Sequence, residues 1–173
     1  MAYTSPSYIS PGPGSANQIT LFLDVADSVT DVTQGAGALG IAGLQDITVN
    51  AANDVFTWTQ LDSSAKKQVA TTATNSLSMN LVVDDAIFFG TNLSATATGT
   101  IAEQGLMGCS RNKTLINFIL KFVEGSSNQA TADRFIKGVG YITGLAPTVS
   151  ADSPVWVTPV TITVSGEYTI AAT

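Results

Sequence analysis

Residues 159–170 read PVTITVSGEYTI. Val160, Ile162 and Val164 alternate with Thr161, Thr163 and Ser165. Successive side chains of a β-strand point to opposite faces, so this stretch has one apolar face and one hydroxyl face. The apolar face requires a core. The other face meets water or a polar partner.

The same alternation recurs upstream. Ile19, Leu21, Leu23 and Val25 share a face in a strand predicted at about 18–25. Strand signals follow at 46–50 and 54–61, where Phe56 and Trp58 share a face. A long strand at 76–83 sends Leu77, Met79, Leu81 and Val83 inward and Ser76, Ser78 and Asn80 outward. The segment 114–123 alternates Ile116, Phe118, Leu120 and Phe122, and further strands are predicted at 132–145 and 155–171. Residues 86–90, AIFFG, form a short apolar piece, and 62–75 read as a polar loop with no apolar period. The single predicted helix covers 97–111, on the spacing of Ile101, Ala102, Gly105, Leu106 and Cys109, with Gly105 and Gly108 weakening it. The expected class is mainly β: a sandwich or half-barrel of about seven to nine antiparallel strands with one flanking helix.

The chain has 173 residues, enough for one domain with a real core. Residues 1–17, rich in Pro, Gly and Ser, predict an extended N-terminal arm, and 18–173 a single domain. The start has neither a basic n-region nor an apolar h-region, which argues against a signal peptide. No apolar run is long enough to predict a membrane helix. A single cysteine, Cys109, has no internal disulfide partner and suggests a reducing compartment. Asn92-Leu-Ser94 and Asn112-Lys-Thr114 match the glycosylation pattern, which without export is read as chance.

Chemistry is constrained by what is missing. There is no histidine, which excludes Ser-His-Asp and Cys-His nucleophile systems and His-containing zinc sites. Gly35-Ala-Gly37-Ala-Leu-Gly40 matches G-x-G-x-x-G, but no strand leads into it and the β-like DITVN follows it. Asp24, Asp27, Asp31, Asp84 and Asp85 lack the spacing of a calcium loop. Glu103, Glu124, Asp133, Asp152 and Glu167 are scattered along the chain. No catalytic residue, metal site or cofactor is predicted, and the expectation is a protein that is not an enzyme. Trp58 and Trp156 lie in strand patterns and are read as core or interface packing.

Net charge is −6, unevenly spread: 1–104 carry −7, 105–140 carry +3 and 141–173 carry −2. Phosphate affinity comes from Lys and Arg, so such a chain is a poor general nucleic-acid binder. The basic middle suits an acidic surface on another copy.

Two stretches carry a resemblance. The first is DVFTWTQLDSSAKKQVATTATNSLSMNLVVDD, 54–85: a strand, a protruding polar loop and a returning amphipathic strand. The second is RFIKGVGYITGLAPTVSADSPVWVTPVTITVSGEYTI, 134–170. There Gly138 and Gly140 precede Tyr141-Ile142-Thr143, a loop with Pro147 and Pro154 follows, and a closing strand runs into Ser165-Gly166-Glu167. In this order and pattern the chain resembles the tail tube (major tail) proteins of long-tailed bacteriophages. The resemblance spans about 54–170; Gly166-Glu167 departs slightly from the family's glycine-rich last turn, and 1–17 and 86–111 match less clearly.

The resemblance implies a virion protein of the phage tail, assembled in the bacterial host cytoplasm. Six copies join their sheets into a ring, and rings stack into a hollow tube that delivers DNA. Implied partners are further copies, the tape measure, the tail terminator, the baseplate or tip and, in a contractile tail, the sheath. DNA passes without specific binding, and no membrane is engaged. Under this reading Asp62, Lys66 and Lys67 in the 62–75 loop are the candidates for contact with the next ring. Thr161, Thr163 and Ser165 are candidates for a lumen-facing or subunit-facing strand. The alternatives are a capsid decoration or other virion β-sandwich protein, and a carbohydrate-binding module.

Overall fold

The computed structural model describes residues 19–27, 37–41, 43–61, 65–71, 74–122, 133–149 and 155–172. The predicted arm, 1–17, and Asp62 lie outside the described residues.

The elements are β1 (Ile19–Val25), β2 (Leu39–Gly40), β3 (Leu44–Asn50), β4 (Val55–Thr59), β5 (Lys66–Ala70), β6 (Ser76–Val82), α1 (Asp85–Phe89), α2 (Ile101–Asn112), β7 (Ile116–Phe122), β8 (Arg134–Leu145), β9 (Val157–Val164) and β10 (Thr169–Ala172). Eight strands make one antiparallel sheet in the order β2-β1-β7-β8-β9-β6-β3, with β10 on β8. The remaining two, β4 and β5, pair only with each other. The mainly-β class stands, as a curled sheet of the sandwich or half-barrel type. Both ends of the sheet share one core. Leu21 and Leu23 of β1, Phe118 and Leu120 of β7, Leu77 and Met79 of β6, and Val160 and Ile162 of β9 belong to a single buried cluster. Burying such side chains, at about 1.5–3 kcal/mol each, is the main force holding the curl.

Three expectations need correction. First, residues 62–75 are not all loop: Lys66–Ala70 is β5, which completes a hairpin with β4. Its KKQVA sequence does not alternate because neither face of the hairpin is buried. Second, among the described residues there are two helices, α1 standing beside the one expected. Asp84 caps α1 by accepting from the Ala86 and Ile87 amides, and Gly90 ends it at φ 74°. Five residues are too few to show a helical period. Third, the single strand expected at 155–171 is two. Both lie antiparallel along the same edge of β8, with Val164 opposite Gly140 and Thr169 opposite Lys137. The intervening Ser165–Tyr168 segment leaves the ladder at Gly166, φ 86°.

The helix expected at 97–111 runs over Ile101–Asn112, because Thr100 and Glu103 form a complete capping box. Within it Gly105 is not helical, at φ 65°. The kink diverts two carbonyls: Ala102 accepts from the Thr91 amide at 3.1 Å and Glu103 from the Asn92 amide at 3.0 Å. A Cβ on Gly105 would stand 2.3 Å from the Gly90 nitrogen, so both backbones need glycine there. Buried Gln104 fixes the corner, donating to the Gly99 carbonyl at 2.5 Å and accepting from Thr114 at 2.7 Å and Asn112 at 3.0 Å.

Candidate assembly surfaces

Two surfaces contain the residues singled out from the sequence. The first is the polar face of the β3-β6-β9-β8 half of the sheet. The side chains opposite the core run in register across it. Thr48 pairs with Ser78 and Ser78 with Thr161; Asn50 pairs with Ser76, Ser76 with Thr163 and Thr163 with Tyr141. Thr161, Thr163 and Ser165 are half-buried. Thr161 and Thr163 alternate with buried Val160 and Ile162, while Ser165 lies just past β9, its amide donating to the Val139 carbonyl at 2.7 Å. Asp46 is the one charge in these rows, and the Asn80 side-chain amide donates to both of its oxygens at 2.8 and 3.1 Å. The surface is therefore hydroxyl- and amide-rich and nearly neutral. Tyr141 and Thr143, singled out from the sequence for the resemblance and not as surface residues, extend it onto β8; pairing register brings them there.

The second surface is the β4–β5 hairpin. Phe56 pairs with Val69 and Trp58 with Lys67, so these four share one face; Thr57 pairs with Gln68 and Thr59 with Lys66 on the other. Lys66 and Lys67 thus point to opposite faces, and Lys67 donates to Gln60 Oε1. Phe56 is 59% exposed and Trp58 36%, with ring centroids 6.0 Å apart and planes 24° apart. Trp156 is 45% exposed. Of the expected core or interface packing of Trp58 and Trp156, the core half fails at both positions. Alternation marks a face, but only tertiary contact buries it.

Other charged and reactive groups have local roles. Lys121 pairs with Asp133 at 2.8 Å, and the Lys121 and Lys137 ammoniums lie 5.9 and 5.0 Å from the Phe135 ring centre. Cys109 is buried, and desolvation pushes its thiol up to about 12. The Glu103 carboxyl lies below its usual value, chiefly through the backbone hydrogen bond from Thr100. Among the described residues no group of three or more His, Cys, Asp or Glu side chains is placed to hold a metal. Nor is any helix among them long and apolar enough to cross a membrane. The glycine motif at 35–40 ends in β2, with no helix after it.

No protein-family model and no curated protein sequence matches the chain. Solved structures do. A chain in the virion of a native gene transfer agent particle aligns with TM-score 0.59 at 13% identity, over 91% of this chain and 98% of that one. A chain in the tail of an empty gene transfer agent particle, with C6 symmetry, gives the same values. A chain of the tube-terminating cap of the anti-feeding prophage aligns with TM-score 0.56 at 12% identity, over the full length of both. This protein shares its fold, over nearly its whole length, with these chains of gene transfer agent and anti-feeding prophage particles.

Proposed function

We propose that this protein is a non-enzymatic structural component of a phage tail. It assembles as hexameric rings stacked into a hollow tube through which DNA is delivered. The observation that carries the reading is the fold shared over nearly the whole chain with a component of a C6-symmetric tail. The surface chemistry supports it. A duplex carries a negative charge about every 1.7 Å, and a conduit must not hold it. The rows of Thr, Ser and Asn offer hydroxyls and amides without cations, on a chain of net charge −6. DNA would pass such a wall without the counterion release that drives binding. Thr161 and Thr163 then line the lumen or meet a neighbouring subunit.

The β4–β5 hairpin, with Lys66 and Lys67, is the contact to the next ring. A projecting two-stranded ribbon is marginal alone, and its exposed aromatics gain a partner when a second copy covers them. The single-domain organisation over 18–173 with an N-terminal arm at 1–17 belongs to the same reading. So do association with tape measure, terminator, baseplate or tip and, in a contractile tail, sheath proteins, and assembly in the bacterial host cytoplasm. Native mass spectrometry of the concentrated protein tests the ring. Species at the hexamer mass and its multiples are expected; trimers or monomers alone favour a decoration protein instead.

A second reading rests on one observation. The exposed, near-parallel Phe56 and Trp58 rings offer a flat platform of the kind that stacks on sugar rings. Under it Trp58→Ala abolishes oligosaccharide binding and leaves self-association intact; under the tube reading the reverse holds.

A further inference from the structure

The hairpin leaves one end of the β3–β6 pair, and a second exposed apolar surface lies at the other. Asn50 and Ser76 pair where β3 enters and β6 leaves the hairpin, whereas Leu44 pairs with Leu81 at the far end. Seven residues of strand separate the two ends by about 20 Å. Beyond Val82 the chain turns into α1, and the Val83 amide donates to the Trp156 carbonyl at 2.8 Å. There a hollow of about 320 Å³ is lined by Val83, Asp85, Phe89, Val155 and Trp156. Phe89, Val155 and Trp156 are all exposed, and Asp85 stands exposed at the rim.

The two surfaces match in chemistry. The hairpin face carries Phe56, Trp58 and Val69 with one cation, Lys67. The lining of the hollow at the far end carries Phe89, Val155 and Trp156 with one anion, Asp85; the neighbouring Asp84, also exposed, is engaged in capping α1. Because they sit at opposite ends, one chain cannot join them to each other without folding back, but two copies can. A contact between different patches of identical chains is heterologous and leaves the pair with one free donor and one free acceptor, so it propagates.

We infer that the Phe56–Trp58–Val69 face of the hairpin docks on the Phe89–Val155–Trp156 surface of a second copy, with Lys67 against Asp85 setting the register. This rests on the reading of the hairpin as an inter-ring element and supplies the acceptor that reading lacks. Burial of the aromatic faces drives the contact, and the opposed charges fix its alignment.

The test is charge exchange in the full chain, read by sedimentation velocity. Lys67→Asp and Asp85→Lys are each expected to weaken self-association about tenfold or more, and the double variant to return it close to wild type. Asp85→Asn, which spares α1 a cation in its first turn, is expected to weaken it less than Asp85→Lys. A hairpin-deletion variant separates the two claims. If that variant stays monomeric while Asp85→Lys and Asp85→Asn associate like wild type, the acceptor surface is wrong and the inter-ring hairpin survives. If both single reversals weaken association and the double variant restores nothing, the pairing of Lys67 with Asp85 is wrong. If the hairpin deletion associates like wild type, both the inter-ring reading and this inference fall.

Discussion

The hydroxyls of Thr143 and Thr163 stand 2.8 Å apart across β8 and β9, hydrogen-bonded on the polar face of the sheet. The bond ties together two strands whose other faces bury Ile142 and Ile162. In the rows around it the one formal charge is Asp46 on β3. Replacing Thr161 and Thr163 together by Lys adds two cations to this face. The variant should fold, because neither side chain enters the core. If this face lines the lumen, particles carrying it should eject DNA more slowly, with the defect relieved at higher salt. Infectivity assays on the double variant check this, and normal ejection would put the face elsewhere.

Gly138 has Phe118 across it. A Cβ at position 138 would lie 2.5 Å from Phe118 Cζ and 3.3 Å from Tyr168 Cβ. Phe118 is fully buried and cannot swing away without displacing the core. Gly138→Ala should therefore cost about 1–3 kcal/mol, the usual range for overpacking. Urea denaturation measures it, and an unchanged midpoint would show that Phe118 has room to yield.

The kink at Gly105 predicts a larger loss. An alanine there adds left-handed backbone strain of about 1–2 kcal/mol to a backbone collision with Gly90. Gly108, in the regular part of α2, meets only the Gln104 Cβ, at 3.2 Å. Gly108→Ala should be much milder than Gly105→Ala. Comparable thermal shifts for the two would contradict the kinked geometry.

Cys109 should be inert in the folded protein. Its thiol, pushed up to about 12 by burial, yields little thiolate at neutral pH. Alkylation by iodoacetamide should follow global unfolding, appearing only as denaturant opens the core. Rapid labelling of native protein would show that the α2 corner opens locally.

The capping box gives a pH dependence. The folded-state value of Glu103 is depressed, so its contribution is present above the ordinary carboxylate value and is lost as pH falls through the lower, folded one. Thr100→Ala removes the two hydroxyl bonds, to the Glu103 amide and carboxylate, and leaves the bond from the Thr100 backbone amide; it should cost about 1 kcal/mol at neutral pH. Glu103→Gln, which has no carboxylate to titrate, should lose less stability than wild type on acidification. Parallel losses in the two proteins would show that Glu103 is not what titrates.

Most of the sheet was legible because burial on one face leaves alternation in the sequence. β1, β6 and β9 each bury every second residue, and their inward sets match the expected ones at Leu21, Leu23, Leu77, Met79, Leu81, Val160 and Ile162. β7 was legible only on one face, since Asn117 and Ile119 are buried along with Ile116, Phe118 and Leu120. β5 left no such record, because it pairs with β4 alone and buries nothing. α1 is shorter than two turns, so its only signal was the Asp84 cap and Gly90. Thr100-Ile-Ala-Glu103 was a readable capping box and would have moved the helix start from 97 to 101. At the candidate surfaces, the outward sides of Thr161 and Thr163 were readable from alternation. The separation of Lys66 from Lys67 onto opposite hairpin faces was not, because it depends on β5 being a strand.

Negative-stain electron microscopy of the concentrated, purified protein tests the tube most directly. The account predicts hollow rods with six-fold end views, in numbers that rise with concentration and vanish when the β4–β5 hairpin is removed. Small uniform particles at every concentration, with or without the hairpin, would contradict it.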